Sequence, residues 1–278
     1  MTARVPLAER WARPAVLGIV NVTPDSFSDG GERLAPGDAI AAGRAMVAAG
    51  ACAVDVGGES TRPGAPAVPA ALELERIAPV VEGLRGLPLS IDTSKAEVAR
   101  FALAAGAELV NDVTALRGDP ELAGVVADAG ASLCLMHMQG DPLTMQQNPV
   151  YGDVVDDVRA FLEGRLTAAV AAGVAEEQIC LDPGFGFGKT PDQNLALLNG
   201  LPRLAELGRP LLVGLSRKST LAKITGGADA RVASDDASLA AAVVAYTRGA
   251  AIFRVHAVAP HVDALAVAAA CTRGTVTA

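Results

Sequence analysis

Residues 179–200, ICLDPGFGFGKTPDQNLALLNG, contain the pattern that decides the fold. A short apolar run at 179–182 ends in the carboxylate Asp182 and is followed by a glycine-rich loop. Thr190 precedes a proline and stands three residues before Gln193, which is the spacing of a capping box at a helix start. Gly200 is typical of a helix end. The stretch therefore predicts a strand, a loop and a helix, in that order.

The same unit recurs along the whole chain. Each apolar run is short and continuous, as expected of a strand buried on both faces, and each is followed by a segment with helical spacing. Asp38 is a candidate cap for the helix before Gly50, and Ser234 for the Ala-rich helix before Gly249. The runs lie at residues 16–22, 53–57, 89–92, 109–112, 132–137, 179–182, 211–214 and 252–256.

Eight strand–helix units form either a doubly wound sheet or a closed (β/α)8 TIM barrel. The length of 278 residues suits a barrel, which typically takes roughly 250. Polar residues end nearly every run, and a barrel gathers all such ends around one site. We therefore expect an α/β protein with one TIM-barrel domain over residues 1–278, of which residues 1–14 form an N-terminal extension.

Composition argues against several classes of protein. The net charge of −8 and the pI near 4.9 disfavour a nucleic-acid partner. The sequence shows neither a signal peptide nor an apolar stretch of membrane-spanning length. The four cysteines form no C-x-x-C pair, so buried reduced thiols are expected. We therefore expect a cytoplasmic protein that acts on small molecules, without a membrane partner.

The polar strand ends predict two subsites at the barrel mouth. Any one of them alone is more often a helix cap, but their number favours a shared site. Asp92, Asn111 and Asp182 suit the donors and acceptors of a flat heterocycle, whereas cationic or hydrogen-donating groups suit an anion. The second group comprises Arg62, Lys218, Arg254 and His256.

Three glycine-rich loops accompany the strand ends. The loops at residues 21–31 and 57–65 are long and polar, so they are candidate lids. The loop at 182–190 resembles a nucleotide-binding loop only superficially. Pro183 occupies the first glycine position of G-x-x-x-x-G-K-[ST], and Lys189 occupies the last glycine position of G-x-G-x-x-G.

Eight motifs together resemble the dihydropteroate synthases, and the resemblance runs through nearly the whole chain. The motifs are GIVNVTPDSFSDGG at 18–31, GGESTRPG at 57–64, SIDT at 90–93, NDV at 111–113, LMHM at 135–138, LDPGFGFGKT at 181–190, SRKS at 216–219 and RVH at 254–256.

The resemblance implies a barrel enzyme that joins a hydroxymethyl-dihydropterin pyrophosphate to p-aminobenzoate with Mg²⁺, and a homodimer. It implies that Asn21 helps to hold the metal. The pterin would be held by Asp92, Asn111, Asp182 and Lys218. The pyrophosphate would face Thr61, Arg62, Arg254 and His256, and the p-aminobenzoate would lie against Pro63, Phe187 and Ser219. The catalytic residues would be Asp92, Lys218, Arg254 and His256.

The sequence departs from the family pattern at three places. Ala257 stands where an Asp often follows Arg-Val-His, Gln193-Asn194 stands where His-Asn is common, and Ala222 stands where Gly is common. None of these removes a residue named above. Two alternatives remain, namely a pterin-binding methyltransferase barrel, which shares the Asp/Asn/Asp set, and a non-catalytic pterin-binding paralogue.

Overall fold

The computed structural model describes residues 5–11, 14–23, 35–227 and 229–275. Within them, eight parallel strands close into a barrel in sequence order, each hydrogen-bonded to the next and the last to the first. This confirms the TIM barrel. The strands are β1 (Ala15–Asn21), β2 (Ala53–Gly57), β3 (Leu89–Asp92), β4 (Leu109–Asp112), β5 (Ser132–Met136), β6 (Ile179–Asp182), β7 (Leu211–Val213) and β8 (Ala250–Val255).

Helices follow the strands and form the outer layer. They are α1 (Leu7–Arg10), α2 (Pro36–Ala48), α3 (Ala70–Gly83), α4 (Ala96–Ala104), α5 (Leu122–Ala129), α6 (Val154–Ala171), α7 (Pro191–Asn199), α8 (Leu201–Ala205), α9 (Ser219–Gly226), α10 (Asp235–Thr247) and α11 (Val258–Arg273), with a 3-10 turn at Glu176–Gln178. Among the described residues, no helix is long and apolar enough to cross a membrane.

The helix punctuation explains most of the boundaries. The capping box of Thr190 and Gln193 is present, and the Ser234 side chain accepts a hydrogen bond from the backbone amide of Ala237. The prediction for Asp38 was wrong, because α2 begins two residues earlier, after Ala35. Pro36 fixes the backbone angle suited to a first helical residue, which leaves Asp38 inside the first turn.

The amino-terminal end of the barrel is closed by residues from the expected extension. Leu7 and Trp11 pack with the first residues of several strands, including Leu17 and Leu109. The Arg10 guanidinium lies 2.5 Å from a carboxylate oxygen of Glu108. Residues 5–11 thus pack against the amino-terminal end of the barrel. The polar strand ends lie at the opposite, carboxyl-terminal end.

The cysteines are free thiols in different environments. Cys134 and Cys180 are fully buried and lie opposite each other in the register of β5 and β6. Cys52 is half-buried, and its pKa is raised to about 12 by burial. The expectation of burial was wrong for Cys271, which is exposed in the last turn of α11.

Candidate active site

The polar strand ends open into one cavity of about 920 Å³ at the carboxyl-terminal end of the barrel. The cavity brings together every site residue that the sequence singled out, while their roles toward ligands stay predictions. These residues are Asn21, Thr61, Arg62, Pro63, Asp92, Asn111, Asp182, Phe187, Lys218, Ser219, Arg254 and His256.

Asn111 and Asp182 form a polar floor at the ends of β4 and β6. The Asn111 amide nitrogen donates to Asp55 Oδ2 at 3.1 Å, but its Oδ1 is buried without a hydrogen-bond partner among the described residues. Asp182 Oδ1 accepts from the Gly184 amide at 2.7 Å. Burial raises the pKa of Asp182 to about 6, although the Gly184 amide and Lys218 oppose the shift. The floor therefore offers hydrogen-bonding capacity that a ligand can use.

Arg254 links β8 to two carboxylates across the mouth. Its Nε lies 2.5 Å from Asp55 Oδ2, and its Nη2 lies 2.7 Å from Asp92 Oδ2. Burial raises the pKa of Asp92 to about 7 despite the opposing charge of Arg254. Burial by itself lowers the pKa of Arg254, but Asp55 and Asp92 shift it above its ordinary value. Arg254 therefore neutralises the buried carboxylates of Asp55 and Asp92.

His256 is a neutral hydrogen-bonding group. Its Nδ1 lies 2.9 Å from the Ser216 hydroxyl oxygen. Burial, helped by the cations Arg217 and Arg254, lowers the pKa of His256 to about 3. At neutral pH His256 is therefore uncharged, so it is a hydrogen-bonding group and not a cation.

Lys218 and Phe187 form one wall of the cavity through a contact between a cation and an aromatic ring. The Lys218 ammonium nitrogen lies 4.3 Å from the centre of the Phe187 ring, within the range of a cation–π contact. Burial lowers the pKa of Lys218 to about 8, and Asp182 opposes the shift. Gly186 has φ of +79°, and a Cβ there would lie 3.3 Å from Lys218 Cδ, so glycine allows the loop to approach this lysine.

Lys189 holds the loop after β6 in place. Its ammonium nitrogen lies 2.8 Å from the Gly184 carbonyl oxygen, 3.0 Å from that of Phe187 and 2.9 Å from His137 Nδ1. Burial lowers the pKa of Lys189 to about 7, and Asp182 opposes the shift. A Cβ on Gly184 would lie 1.8 Å from the His137 carbonyl oxygen, so only glycine fits there.

Two polar strand ends do not line the cavity. Asp112 accepts hydrogen bonds from the amides of Thr114 and Leu116, so it stabilises the turn after β4 rather than the start of α5 at Leu122. The ring of His137 packs against Phe161 with centroids 4.8 Å apart. Both groups therefore stabilise loops around the site.

The two candidate lids differ in what the structure describes. Most of the first, residues 24–31, lies outside the described residues. The second is described, and Thr61, Arg62 and Pro63 line the cavity. The Gly64 amide donates to the Pro142 carbonyl at 2.8 Å, so this loop contacts the loop after β5.

A family model described as pterin binding enzyme matches residues 17–256. The dihydropteroate synthase of Mycobacterium leprae is 48% identical over 262 residues, which cover 92% of each chain.

The chain belongs to the dihydropteroate synthase family.

Solved structures of this family have the same fold. The enzyme of Xanthomonas albilineans with 4-aminobenzoic acid has a TM-score of 0.84 at 49% identity, over 94% of this chain and 93% of that one. The Burkholderia cenocepacia enzyme complexed with 7,8-dihydropteroate has a TM-score of 0.82 at 51% identity, over 94% and 92%. The fold and the family inferred from the motifs are therefore confirmed.

No role could be assigned from the sequence to several residues that build the site. Asp55 stands inside an apolar strand run, and a charged residue at such a position indicates a buried charge. Met145, Gln146 and Pro149 line the cavity from the loop after β5, and Gln146 donates to the Gly186 carbonyl at 2.7 Å. The residues of that loop carried no recognisable spacing, so only the structure identifies them.

Proposed function

We propose that the protein condenses (7,8-dihydropterin-6-yl)methyl diphosphate with p-aminobenzoate to give 7,8-dihydropteroate and pyrophosphate, as the dihydropteroate synthase family does. The observation that carries this proposal is the buried Asn111 Oδ1, which has no hydrogen-bond partner among the described residues, in the same cavity as the carboxyl of Asp182. A pterin edge presents paired N–H donors, and these two acceptors are of the type that can receive them.

The residues at the mouth would then divide the reaction between them. The bond from the pterin methylene carbon to the diphosphate oxygen breaks, and a bond from that carbon to the amine nitrogen of p-aminobenzoate forms, with release of one amine proton. Asp92 would stabilise the positive charge that develops on the pterin. Arg62, Arg254 and neutral His256 would bind the departing diphosphate. Lys218 and Phe187 would hold the rings in place, with Thr61, Pro63 and Ser219 around them.

The donor set fits Mg²⁺ as a cofactor. Among the described residues there is no group of three or more His, Cys, Asp or Glu side chains that could hold a metal. Mg²⁺ commonly takes one or two protein oxygens together with substrate phosphates and water, so Asn21 suffices as its protein ligand. A Cβ on Gly57 would lie 3.6 Å from Asn21 Oδ1 and 3.5 Å from Asp92 Oδ2, so glycine keeps this space open. When bound, the metal would neutralise charge on the diphosphate.

The remaining parts of the proposal concern the setting of the enzyme. A homodimer is supported by the family resemblance and by exposed apolar side chains on the last two helices, Val244 and Val267. Sedimentation velocity tests the homodimer, and a monomer at micromolar concentration contradicts it.

A cytoplasmic location is supported by the free thiols, which suit a reducing compartment. Fractionation of cells that express the protein tests the location.

A pyrophosphate-release assay with both substrates and Mg²⁺ tests the proposed activity. We expect release to require p-aminobenzoate, and leaving out that substrate is the control. A non-catalytic pterin-binding protein binds the pterin substrate and releases nothing. A methyltransferase barrel also releases no pyrophosphate, and the curated relative and solved structures described above favour the synthase over it.

A further inference from the structure

An ion-pair cluster at the edge of the cavity joins two neighbouring strand–helix units. The Lys95 ammonium nitrogen lies 2.6 Å from Glu59 Oε2 and 2.6 Å from Glu73 Oε2. Lys95 precedes α4, Glu59 begins the loop after β2, and Glu73 lies in the first turn of α3. The three side chains are 20%, 15% and 0% exposed, respectively, so the cluster is largely sheltered from water.

Glu59 links the two ends of the segment of residues 59–68, which contains most of the second candidate lid. Its Oε2 contacts Lys95, while its Oε1 accepts a hydrogen bond from the backbone amide of Val68 at 2.8 Å. The residues between Glu59 and Val68 include Thr61, Arg62 and Pro63, all of which line the cavity. One carboxylate therefore closes the base of this loop.

The base of the loop also packs tightly on α3. The Arg76 guanidinium donates to the Gly58 carbonyl at 2.8 Å. A Cβ on Gly58 would lie 2.7 Å from Ile77 Cγ2 and 3.0 Å from the Glu73 carbonyl oxygen. Backbone and ion pairs thus fix the loop base against the same helix that carries Glu73.

The charges make Lys95 the central member of the cluster. Two carboxylates share one ammonium, and burial raises the pKa of Glu73 while Lys95 lowers it. Burial lowers the pKa of Lys95, but the hydrogen bonds to Glu59 and Glu73 more than offset this, so Lys95 stays charged. Without Lys95 the two carboxylates would repel each other, and the less buried Glu59 is the one able to turn toward water.

We propose that Lys95 is a positioning residue, which acts through Glu59 to hold the loop of residues 59–68 in the shape that presents Thr61 and Arg62 to the diphosphate. The inference rests on the proposed function, because the diphosphate is a ligand of that loop only if the protein has that function. Lys95 itself does not line the cavity, so its effect on catalysis is indirect.

Hydrogen–deuterium exchange of the free enzyme tests the link without requiring activity. In Lys95→Met we expect the amides of residues 59–68 to exchange about tenfold faster, with the barrel strands unchanged. Lys95→Arg should restore slow exchange, because it keeps the cation. Arg85→Met is the control, since it removes only an exposed ion pair with Glu82 just beyond α3.

Kinetics supply a second measurement. Lys95→Met should raise KM for the pterin diphosphate about tenfold with a smaller change in kcat, because ground-state binding by the loop is what is lost. Affinity for a pterin that lacks the diphosphate should stay as in the wild type. A wild type that releases no pyrophosphate would contradict the proposed function alone, because the exchange measurement does not depend on turnover.

Unchanged exchange of residues 59–68 in folded Lys95→Met overturns the proposal. If Lys95→Met does not fold, Glu59→Gln decides the question, because it removes the charge that pairs with Lys95 but keeps an amide oxygen that can accept from the Val68 amide. Faster loop exchange in Glu59→Gln supports the proposal, and exchange as slow as in the wild type overturns it.

Discussion

At the scale of single residues, Asp182 is buried, while the role proposed for it requires the ionised carboxylate. Its pKa is raised to about 6 by burial, so in the free protein its contribution to folding stability is lost as the pH rises through about 6. A pterin whose donors it receives requires the carboxylate, so binding runs in the opposite direction. We expect pterin affinity to fall up to about tenfold per pH unit below pH 6.

Calorimetric titration with a pterin between pH 5 and pH 8 measures this dependence. Asp182→Ala is the companion variant, and it should lose pterin binding altogether rather than only slow the reaction. Near-normal pterin affinity in Asp182→Ala would show that another residue receives the pterin edge.

Arg254 forms two ion pairs and has a proposed role in diphosphate binding, and one substitution tests both. In Arg254→Ala the carboxylates of Asp55 and Asp92 lose their shared cation, which should reduce the free energy of unfolding by about 3–5 kcal/mol. Diphosphate binding should fall severely, while binding of a pterin without diphosphate should fall less, because Asn111 and Asp182 remain. Urea unfolding and calorimetry measure the two effects. Intact diphosphate affinity would place the anion site elsewhere.

At the scale of secondary-structure elements, α11 begins without a side-chain cap. Ala257 is the N-cap residue and makes no capping hydrogen bond. Ala257→Asp, the residue often found here in the family, should therefore stabilise the protein by about 1 kcal/mol, which is roughly 2–4 °C in melting temperature.

Activity should change little in Ala257→Asp, because Ala257 shares the direction of buried Val255 and does not line the cavity. Thermal denaturation and kcat measure the two outcomes, and Ala257→Asn separates the cap from the added charge. A large gain in activity would instead mean that residue 257 positions Arg254 or His256.

The loops after β1 and β2 predict an order of substrate binding. If a bound diphosphate draws their polar groups over the mouth, p-aminobenzoate should bind weakly until the pterin diphosphate, or pterin with pyrophosphate, is present. Calorimetry of p-aminobenzoate with and without these ligands measures the difference. Equal affinity for the free and the loaded enzyme would mean that these loops do not act as lids.

The elements themselves could largely be predicted, because each carries local signals. A polar residue such as Asp182 ends a strand, and a cap such as Thr190 starts the next helix, so strand positions followed within one or two residues. The prediction for Asp38 was wrong because Pro36, two residues earlier, also suits the start of a helix and is the first helical residue of α2.

At the scale of the whole molecule, the pairing of charges could not be predicted. Arg254 and Asp55 are 199 positions apart, and only closure of the barrel brings them together. Lys95 is 36 positions from Glu59 and 22 from Glu73, and it meets them because β2 and β3 are neighbours in the barrel. Residues 5–11 are likewise too short a segment for the sequence pattern to predict that Leu7 and Trp11 pack against the barrel.

The activity proposed for this barrel mouth is the joining of a pterin diphosphate to p-aminobenzoate. Simultaneous quantification of 7,8-dihydropteroate and pyrophosphate, with purified protein, both substrates and Mg²⁺, tests it most directly. We predict that the two products form in equal amounts and that Asp182→Ala forms neither. Binding of the pterin diphosphate without either product, or pyrophosphate release without dihydropteroate, would contradict the claim.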